Sequence, residues 1–376
     1  MKQQTLVKIK SRINNWGKGK ADVQDAQVEI SRGRSLAKKI LMSEYFVLYL
    51  TILYLLVLTP IIPRLWHPMN IQNVLSNMWP LLVVAIGQTF VLILAGIDLS
   101  QTSVMAMSSV VGAVVMTSSV DPVLFTKSPL WGIFLTDQGG LMGSSPLALP
   151  AGILAMLLVG LIIGFLNGFS VAIFRMPPFI VTLVSMMLFS AMAIFLTKSE
   201  NIRHLPEAYL QISKTQFSVV SMSMVIAIVL AIVAHITLNR TLFGKRLYAV
   251  GINTTASEIS GVPARRTIIT AYMVSGLCAS IAAILYSSRL EMGRPTLGST
   301  LFIDIVGANI IGGVSLSGGK GKVTWTIFGV FFFIILANSL NMLNLSFYVI
   351  DMVKGSVILV AALLDVARSR IQKAQN

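Results

Sequence analysis

The chain has 376 residues and a formal net charge of +15; 55% of its residues are hydrophobic and 11% are charged, with a mean hydropathy of +0.81. A soluble domain carries about 25% charged residues, so this composition excludes a string of water-exposed domains and points to one domain immersed in hydrocarbon. The positive charges sit at the ends of apolar stretches rather than in a stripe interleaved with aromatics, which excludes a nucleic-acid surface. The single cysteine, Cys278, excludes an internal disulfide and a metal site built on cysteine spacing.

In chain order, residues 1–43 form a basic segment with ten Lys or Arg in its first 40 positions and no apolar run before Ile40. It is expected to be a cytosolic tail, with no signal peptide evident. A bilayer crossing needs about 20 residues, because ~30 Å of hydrocarbon is covered at ~1.5 Å per residue. Ten stretches meet or approach that length: 45–63, 74–95, 100–120, 149–173, 179–197, 219–238, 267–287, 301–316, 323–341 and 347–366. The eighth is short. A further apolar patch, 122–135, is interrupted by Lys127 and Pro129 and is expected in an external loop. The expected fold is therefore an all-α, polytopic transmembrane bundle of about ten spans with both termini cytosolic. Its membrane domain covers 44–366, with a cytosolic loop at 239–266 and a short cytosolic tail at 367–376.

Charge tests this threading. With the N-terminus inside, 21 Lys and Arg fall on the cytosolic side and 7 outside, with Lys354 inside the last span. That bias obeys the positive-inside rule. Trp66 and Trp79 flank the first external turn and are expected as interface anchors. Gly160, Gly164 and Gly168 recur every four positions, the pattern of a close helix–helix contact, and Asn167 beside them can hydrogen-bond across it.

Four segments carry more than hydrophobicity. The first is Ala95-Gly96-Ile97-Asp98-Leu99-Ser100, an aspartate where two apolar spans meet, which is costly unless satisfied. The second is Asn167-Gly168 with Met176-Pro177-Pro178-Phe179-Ile180-Val181-Thr182-Leu183, in which the prolines end one span and start another. The third, 249–262, is a polar stretch containing Gly251, Asn253, Ala256, Glu258, Ile259 and Gly261. Its Thr255-x-x-Glu258 spacing predicts a capping box and a short helix from near Ala256 to Gly261. The fourth, 311–322, is glycine-rich. It lacks the Gly-x4-Gly-Lys-Ser/Thr order of a nucleotide loop, so Gly318 and Gly319 are expected to make a tight turn instead.

Together and in this order, these segments resemble the ribose/galactose-type sugar permeases of ABC importers, over residues 44 to 366. The resemblance implies a ten-helix fold that pairs with a second, identical or related permease chain. It also implies a cytosolic ABC ATP-binding subunit, an extracytoplasmic solute-binding protein, and residence in a bacterial inner membrane. The chain departs from the usual family residues at Gln101-Thr102, Val184 and Trp325.

The third segment is then the expected grip of the ATPase, because membrane spans cannot touch ATP and force must pass through a cytosolic element. The substrate path is expected to present scattered amides and hydroxyls, with Gln88, Asp98, Asn167, Phe179, Asn309 and Asn338 as candidates. No cofactor is expected in this chain, and ATP hydrolysis would belong to the partner. A rival reading uses the intramembrane charges. Asp351 and Lys354, spaced to pair on one helix face, or Asp98 would serve a proton-coupled carrier, with Asp304 placed to meet solute or water. A membrane-embedded enzyme is a third class, but no nucleophile and base converge, and His67, His204 and His235 lie apart.

Overall fold

The computed structural model describes residues 43, 45–143, 145–217 and 220–373, without the side chains of 216, 217, 220 and 365–373. The basic N-terminal segment 1–42 lies outside the described residues. The described chain is helical apart from a hairpin of two-residue strands, β1 (Gln216–Phe217) and β2 (Val220–Ser221), paired antiparallel. The helices are α1 (Phe46–Leu58), α2 (Pro68–Ile93), α3 (Gln101–Met116), α4 (Pro122–Phe125), α5 (Ala148–Ile173), α6 (Pro178–Thr197) and α7 (Glu207–Lys214). After the hairpin come α8 (Met222–Arg240), α9 (Leu242–Ile252), α10 (Thr254–Ile259), α11 (Ala264–Leu290), α12 (Phe302–Gly312), α13 (Val323–Met342) and α14 (Phe347–Lys373).

Seven of these helices, α2, α5, α6, α8, α11, α13 and α14, are long and apolar enough to cross a bilayer. Three of the expected spans are shorter. Helices α1, α3 and α12 have 13, 16 and 11 residues. At ~1.5 Å per residue, α12 rises only about 16 Å, roughly half the hydrocarbon thickness. The last helix continues to Lys373, past the expected span boundary at 366.

Local chemistry explains the boundaries. Pro68 and Pro178 occupy first-turn positions, where a missing N–H costs nothing. Ser221, Thr241 and Asn253 cap α8, α9 and α10 by accepting from Met224, Gly244 and Ala256 N–H. Pro80 sits inside α2, and from Met78 to Ile93 every residue of that helix is buried. A helix buried all round belongs at the centre of a bundle. By contrast, α5, α6, α8 and α14 turn broad apolar faces outward: Leu154, Ile162, Met187, Leu188, Val229, Leu359 and Leu363 are all exposed. A water-exposed surface would not tolerate that much apolar area; hydrocarbon does. Trp66 is exposed and donates to Thr59 Oγ1 at 3.1 Å. Trp79, expected as an interface anchor, is instead buried in the core, because it lies about three turns inside α2 rather than at its end.

The most extensive helix contact among the described residues is α5 on α11. Cβ atoms built at Gly160, Gly164 and Gly168 would meet the Gly276 carbonyl at 2.3 Å, the Tyr272 carbonyl at 2.4 Å and Ile269 Cα at 2.8 Å. A Cβ built at Gly276 would in turn collide with the Gly160 carbonyl. Small residues let two backbones touch where lipid tails offer no competing hydrophobic drive.

Loops alternate between two ends. At one end, Gly319 N–H donates to Ile93 O at 2.8 Å, Tyr248 Oη donates to Gly321 O at 2.6 Å, and Arg175 lies 3.9 Å from Glu258. At the other, Ile202 and Gly293 exchange backbone hydrogen bonds, Ser118 N–H donates to His204 O, and Arg289 Nη1 donates to Asn77 Oδ1 at 2.6 Å. Among the described residues, the connections and adjoining helix turns of the first end carry Arg175, Arg240, Lys245, Arg246, Arg265, Arg266, Lys320 and Lys322 against Asp98 and Glu258, whereas those of the second mix both signs nearly evenly.

Gly276→Ala is therefore expected to lower stability by about 1–3 kcal/mol through overpacking, whereas Gly355→Ala, with open space at its Cβ, should be neutral or slightly stabilising. Thermal unfolding of the two variants in one detergent checks the difference.

Candidate functional site

The α2–α3 junction is a tight reversal. Leu94, Ala95 and Gly96 N–H donate back to Val91 and Leu92 carbonyls, and Ala95 takes a left-handed φ of 60°. The reversal carries Asp98 into the interior, where it is 2% exposed. Its Oδ1 accepts from Ser100 N at 3.0 Å and Ser100 Oγ at 2.5 Å, and its Oδ2 accepts from Ser275 Oγ of α11 at 2.6 Å.

A shell of amides surrounds the carboxylate. Asn167 Nδ2 of α5 donates to Ser100 Oγ at 2.7 Å. Gln101 Nε2 donates to Ser275 Oγ at 2.8 Å and to Val84 O of α2 at 3.2 Å. The Gln88 amide satisfies its surroundings in one orientation, with its nitrogen donating to Asp98 O and Gln101 Oε1 and its oxygen accepting from Asp98 N. Thr182 Oγ1 of α6 donates to Ile97 O at 2.9 Å. The departure at Gln101 thus joins this network, while Val184 is exposed on α6 and Trp325, on α13, packs its carbonyl side against Gly312.

The third and fourth segments close on the same end. Helix α10 starts at Thr254, not near Ala256, and is capped by Asn253, which accepts from Ala256 N at 2.9 Å. Glu258 therefore does not complete a capping box; it faces Arg175 of the α5–α6 turn. Asn253 takes the cap because it is already extended, with φ −158°. Gly261 follows with φ 80°. Gly318 and Gly319, with φ 78° and 70°, form the turn in a conformation that side chains resist. A Cβ at Gly251 would meet Ile93 O at 1.8 Å and Gly319 N at 3.0 Å, so α9, α2 and the turn meet backbone to backbone. Ile252 and Ile259 are 75% and 84% exposed beside this contact. Ala256 lies on α10 between them.

The remaining candidates sit elsewhere. Asn309 is buried on α12, where its Oδ1 accepts from Thr89 and Thr326 and its Nδ2 donates to Ala85 O and Ile305 O. Asn338 and Asn70 exchange amide hydrogen bonds at the opposite end. Phe179 stands exposed on α6, away from the network. Gly96 backs onto the Tyr272 hydroxyl, and Pro177 and Pro178 set the start of α6. Lys354 pairs with Asp304 of α12 at 2.7 Å, more closely than with Asp351 at 4.0 Å. Asp304 is thus spent on an interhelical ion pair rather than facing solute or water; the cation is drawn to the carboxylate that is itself nearly buried.

Sequence reasoning did not single out Ser275, Tyr272 or Arg175. A signal existed for the first: Ser275, Ser280 and Ser287 punctuate α11 among alanines and glycine, and each pairs with another helix, with Asp98, Ser108 and Tyr209 respectively. Among the described residues no group of His, Cys, Asp or Glu is placed to hold a metal.

All four segments flagged in the sequence converge here, on one end of the bundle. Residues 70–362 match the family described as "Branched-chain amino acid transport system / permease component". The chain belongs to this family. The ribose import permease protein RbsC of Bacillus subtilis is 31% identical over 82% of this chain and 88% of its own. That of Escherichia coli K12 is 30% identical over 89% and 97%. The L-arabinose ABC transporter permease protein AraH of Azospirillum brasilense is 26% identical over 94% and 96%. No solved structure matches the chain.

Ser275→Ala is expected to cost about 1–2 kcal/mol, because Asp98 loses a donor and Gln101 an acceptor at a buried site. Ser170→Ala, which removes only an exposed bond to its own helix, should change little. Paired melting curves of the two variants test the contrast.

Proposed function

We propose that this chain is the membrane-spanning permease subunit of an ATP-driven ABC importer, and that its cargo is a sugar or sugar-like solute handed over by an extracytoplasmic binding protein. Family membership and the sugar permeases among its relatives support the class and the cargo. In this reading the chain crosses a bacterial cell membrane ten times. The seven long helices are joined by α1, α3 and α12, whose short helical cores are completed by non-helical flanks. Both termini face the cytosol, in keeping with the excess of positive charge on the loops around α10. A second permease chain, identical or related, completes the route, and the chain itself makes and breaks no bonds.

The observation that carries the mechanism is the mounting of α10. Ile259 stands exposed at the end of this short, polar, well-capped helix, and Ile252 stands exposed at the end of α9 just before it, both at the basic end. They offer knobs for an apolar groove in an ATP-binding subunit. Behind them the end of α9, which leads directly into α10, rests on backbone: Gly251 against Ile93, and the glycine turn against both. Movement imposed on α10 would reach the α2–α3 reversal, and with it Asp98, without being absorbed by side-chain rotation. Gln88, Asp98, Asn167 and Asn309 then set the geometry of the wall rather than grip the solute, since their polar atoms are engaged between helices. Weak contact with the solute suits a system in which the external receptor supplies affinity.

The rival reading as a proton-coupled carrier draws no support from the relatives. Its main hook, Lys354, is held in an interhelical ion pair with Asp304.

Ile259→Asp, Glu258→Arg and Gly261→Leu are each expected to reduce uptake at least tenfold while the chain still inserts and ATP hydrolysis by the partner continues. Uptake in whole cells, alongside ATPase activity of the purified assembly, measures this. Normal uptake by all three would remove α10 from the coupling role.

A further inference from the structure

A cavity of about 380 Å³ opens at the basic end, between the end of α5, the start of α6, α9–α10 and α11. Its lining pairs two arginines, Arg175 and Arg265, with the Thr255 side chain, and its inner wall is formed by Gly96 and Tyr272. Three observations bear on what it would hold. The Tyr272 hydroxyl is buried and has no hydrogen-bond partner among the described residues, although a buried hydroxyl without one costs about 1–3 kcal/mol. Arg265 is exposed and forms no ion pair among the described residues. Glu258 also lines the cavity, but its 3.9 Å approach to Arg175 is too long for a hydrogen bond, and both side chains are substantially exposed. Two arginines and a tyrosine therefore line a space where one loosely placed carboxylate opposes them.

The rest of the lining is apolar, with Leu94, Val171, Met176 and Ile268 among it. Outside the mouth, Phe174 and Phe179 are exposed on the adjoining ends of α5 and α6, 66% and 53% respectively. A wholly aqueous anion would gain little from such a rim. A molecule with a charged head and an apolar body fits both parts.

We infer that this cavity binds a phosphate-bearing anion, with Arg175 and Arg265 holding the phosphate oxygens and the Tyr272 hydroxyl donating to one of them, and that the apolar rim favours the head group of an anionic phospholipid. Guanidinium groups match phosphate by forked, charge-assisted hydrogen bonds, and basic pockets between membrane helices suit lipid head groups. The phosphate chemistry stands on the cavity alone; the lipid source rests on the proposed placement of this end at the cytosolic membrane surface. Occupancy would give Arg175 a stronger partner than Glu258 and so loosen the side-chain tether between α10 and the α5–α6 turn.

The full-length chain, extracted in mild detergent, would be exchanged into mixed micelles containing phosphatidylglycerol or phosphatidylcholine, and retained lipid counted by native mass spectrometry. A parallel arm uses glycerol 3-phosphate in detergent and reads the shift in melting temperature. The expected result is retention of one phosphatidylglycerol in preference to phosphatidylcholine, weakened at least tenfold by Arg265→Gln and by Tyr272→Phe. Arg246→Gln, which removes an exposed charge at the same end but outside the cavity, should retain it. A melting shift with glycerol 3-phosphate that vanishes in the same two variants, without lipid retention, would support the phosphate site and assign it to a soluble anion. Equal retention by all variants, equal loss in Arg246→Gln, or no response to either probe would overturn the proposal. Uptake by the α10 variants is read separately, so failure here leaves the importer reading to its own test.

Discussion

A buried carboxylate governs this structure. Asp98 lies where two apolar helices reverse, and an unpaired charge there would cost several kcal/mol. Its two oxygens take three donors, and those donors are themselves positioned by others. Ser100 begins α3, Ser275 lies mid-way along α11, Asn167 comes from α5, and Gln88 comes from α2. Ser100 and Ser275 supply every donor to the carboxylate, while Asn167 holds Ser100 and Gln88 holds the Asp98 backbone, so all four helices are tied to one point. The polar network therefore selects one arrangement of helices whose apolar surfaces would pack in many.

The same logic recurs with neutral groups and with one ion pair. Asn309 gathers Thr89 and Thr326 and so fixes α12 against α2 and α13. Asn70 and Asn338 lock the opposite ends of α2 and α13. Lys354 and Asp304 join α14, an outer helix with little other burial, to α12. Between these polar points the helices meet through glycine, alanine and serine. In hydrocarbon, where association gains little from excluding water, close backbone contact and satisfied polar groups must hold the bundle.

Much of this was legible in the residues, and the limits have physical causes. Apolar length located the helices, and glycines spaced by four marked the α5 face that meets α11. Polar residues within apolar runs drew attention to Gln88, Asn167 and Asn309. Hydrophobicity does not say which way a side chain points, however, and a residue that lines a path and one that clasps a neighbouring helix look alike. Asp351 and Lys354 were visible as a pair because they are close in sequence; Asp304, the nearer partner, comes from another helix. The α10 cap fell on Asn253 rather than Thr255 because the choice turns on backbone dihedrals at the end of α9. Trp79 reads as an anchor only if the helix starts near it, and Pro68 starts α2 three turns earlier.

Two connections differ in stiffness, one made by the end of α9 that leads into α10 and one by α10 itself, and that difference bears on how an importer of this kind would work. At Gly251 the contact with Ile93 and the glycine turn is backbone on backbone, with no rotamer able to yield. At Glu258 the contact with Arg175 is long, exposed and made by flexible side chains. A push on α10 would thus pass directly to the α2–α3 reversal but only loosely to the α5–α6 turn. Since α3 and α5 are themselves tied through Ser100 and Asn167, the second path is not absent; it runs through the Asp98 network instead of around it. The Arg175–Glu258 link then resembles an adjustable stay rather than a strut. An anion competing for Arg175 would act on that stay alone, changing how freely α10 moves while leaving the rigid glycine contact intact.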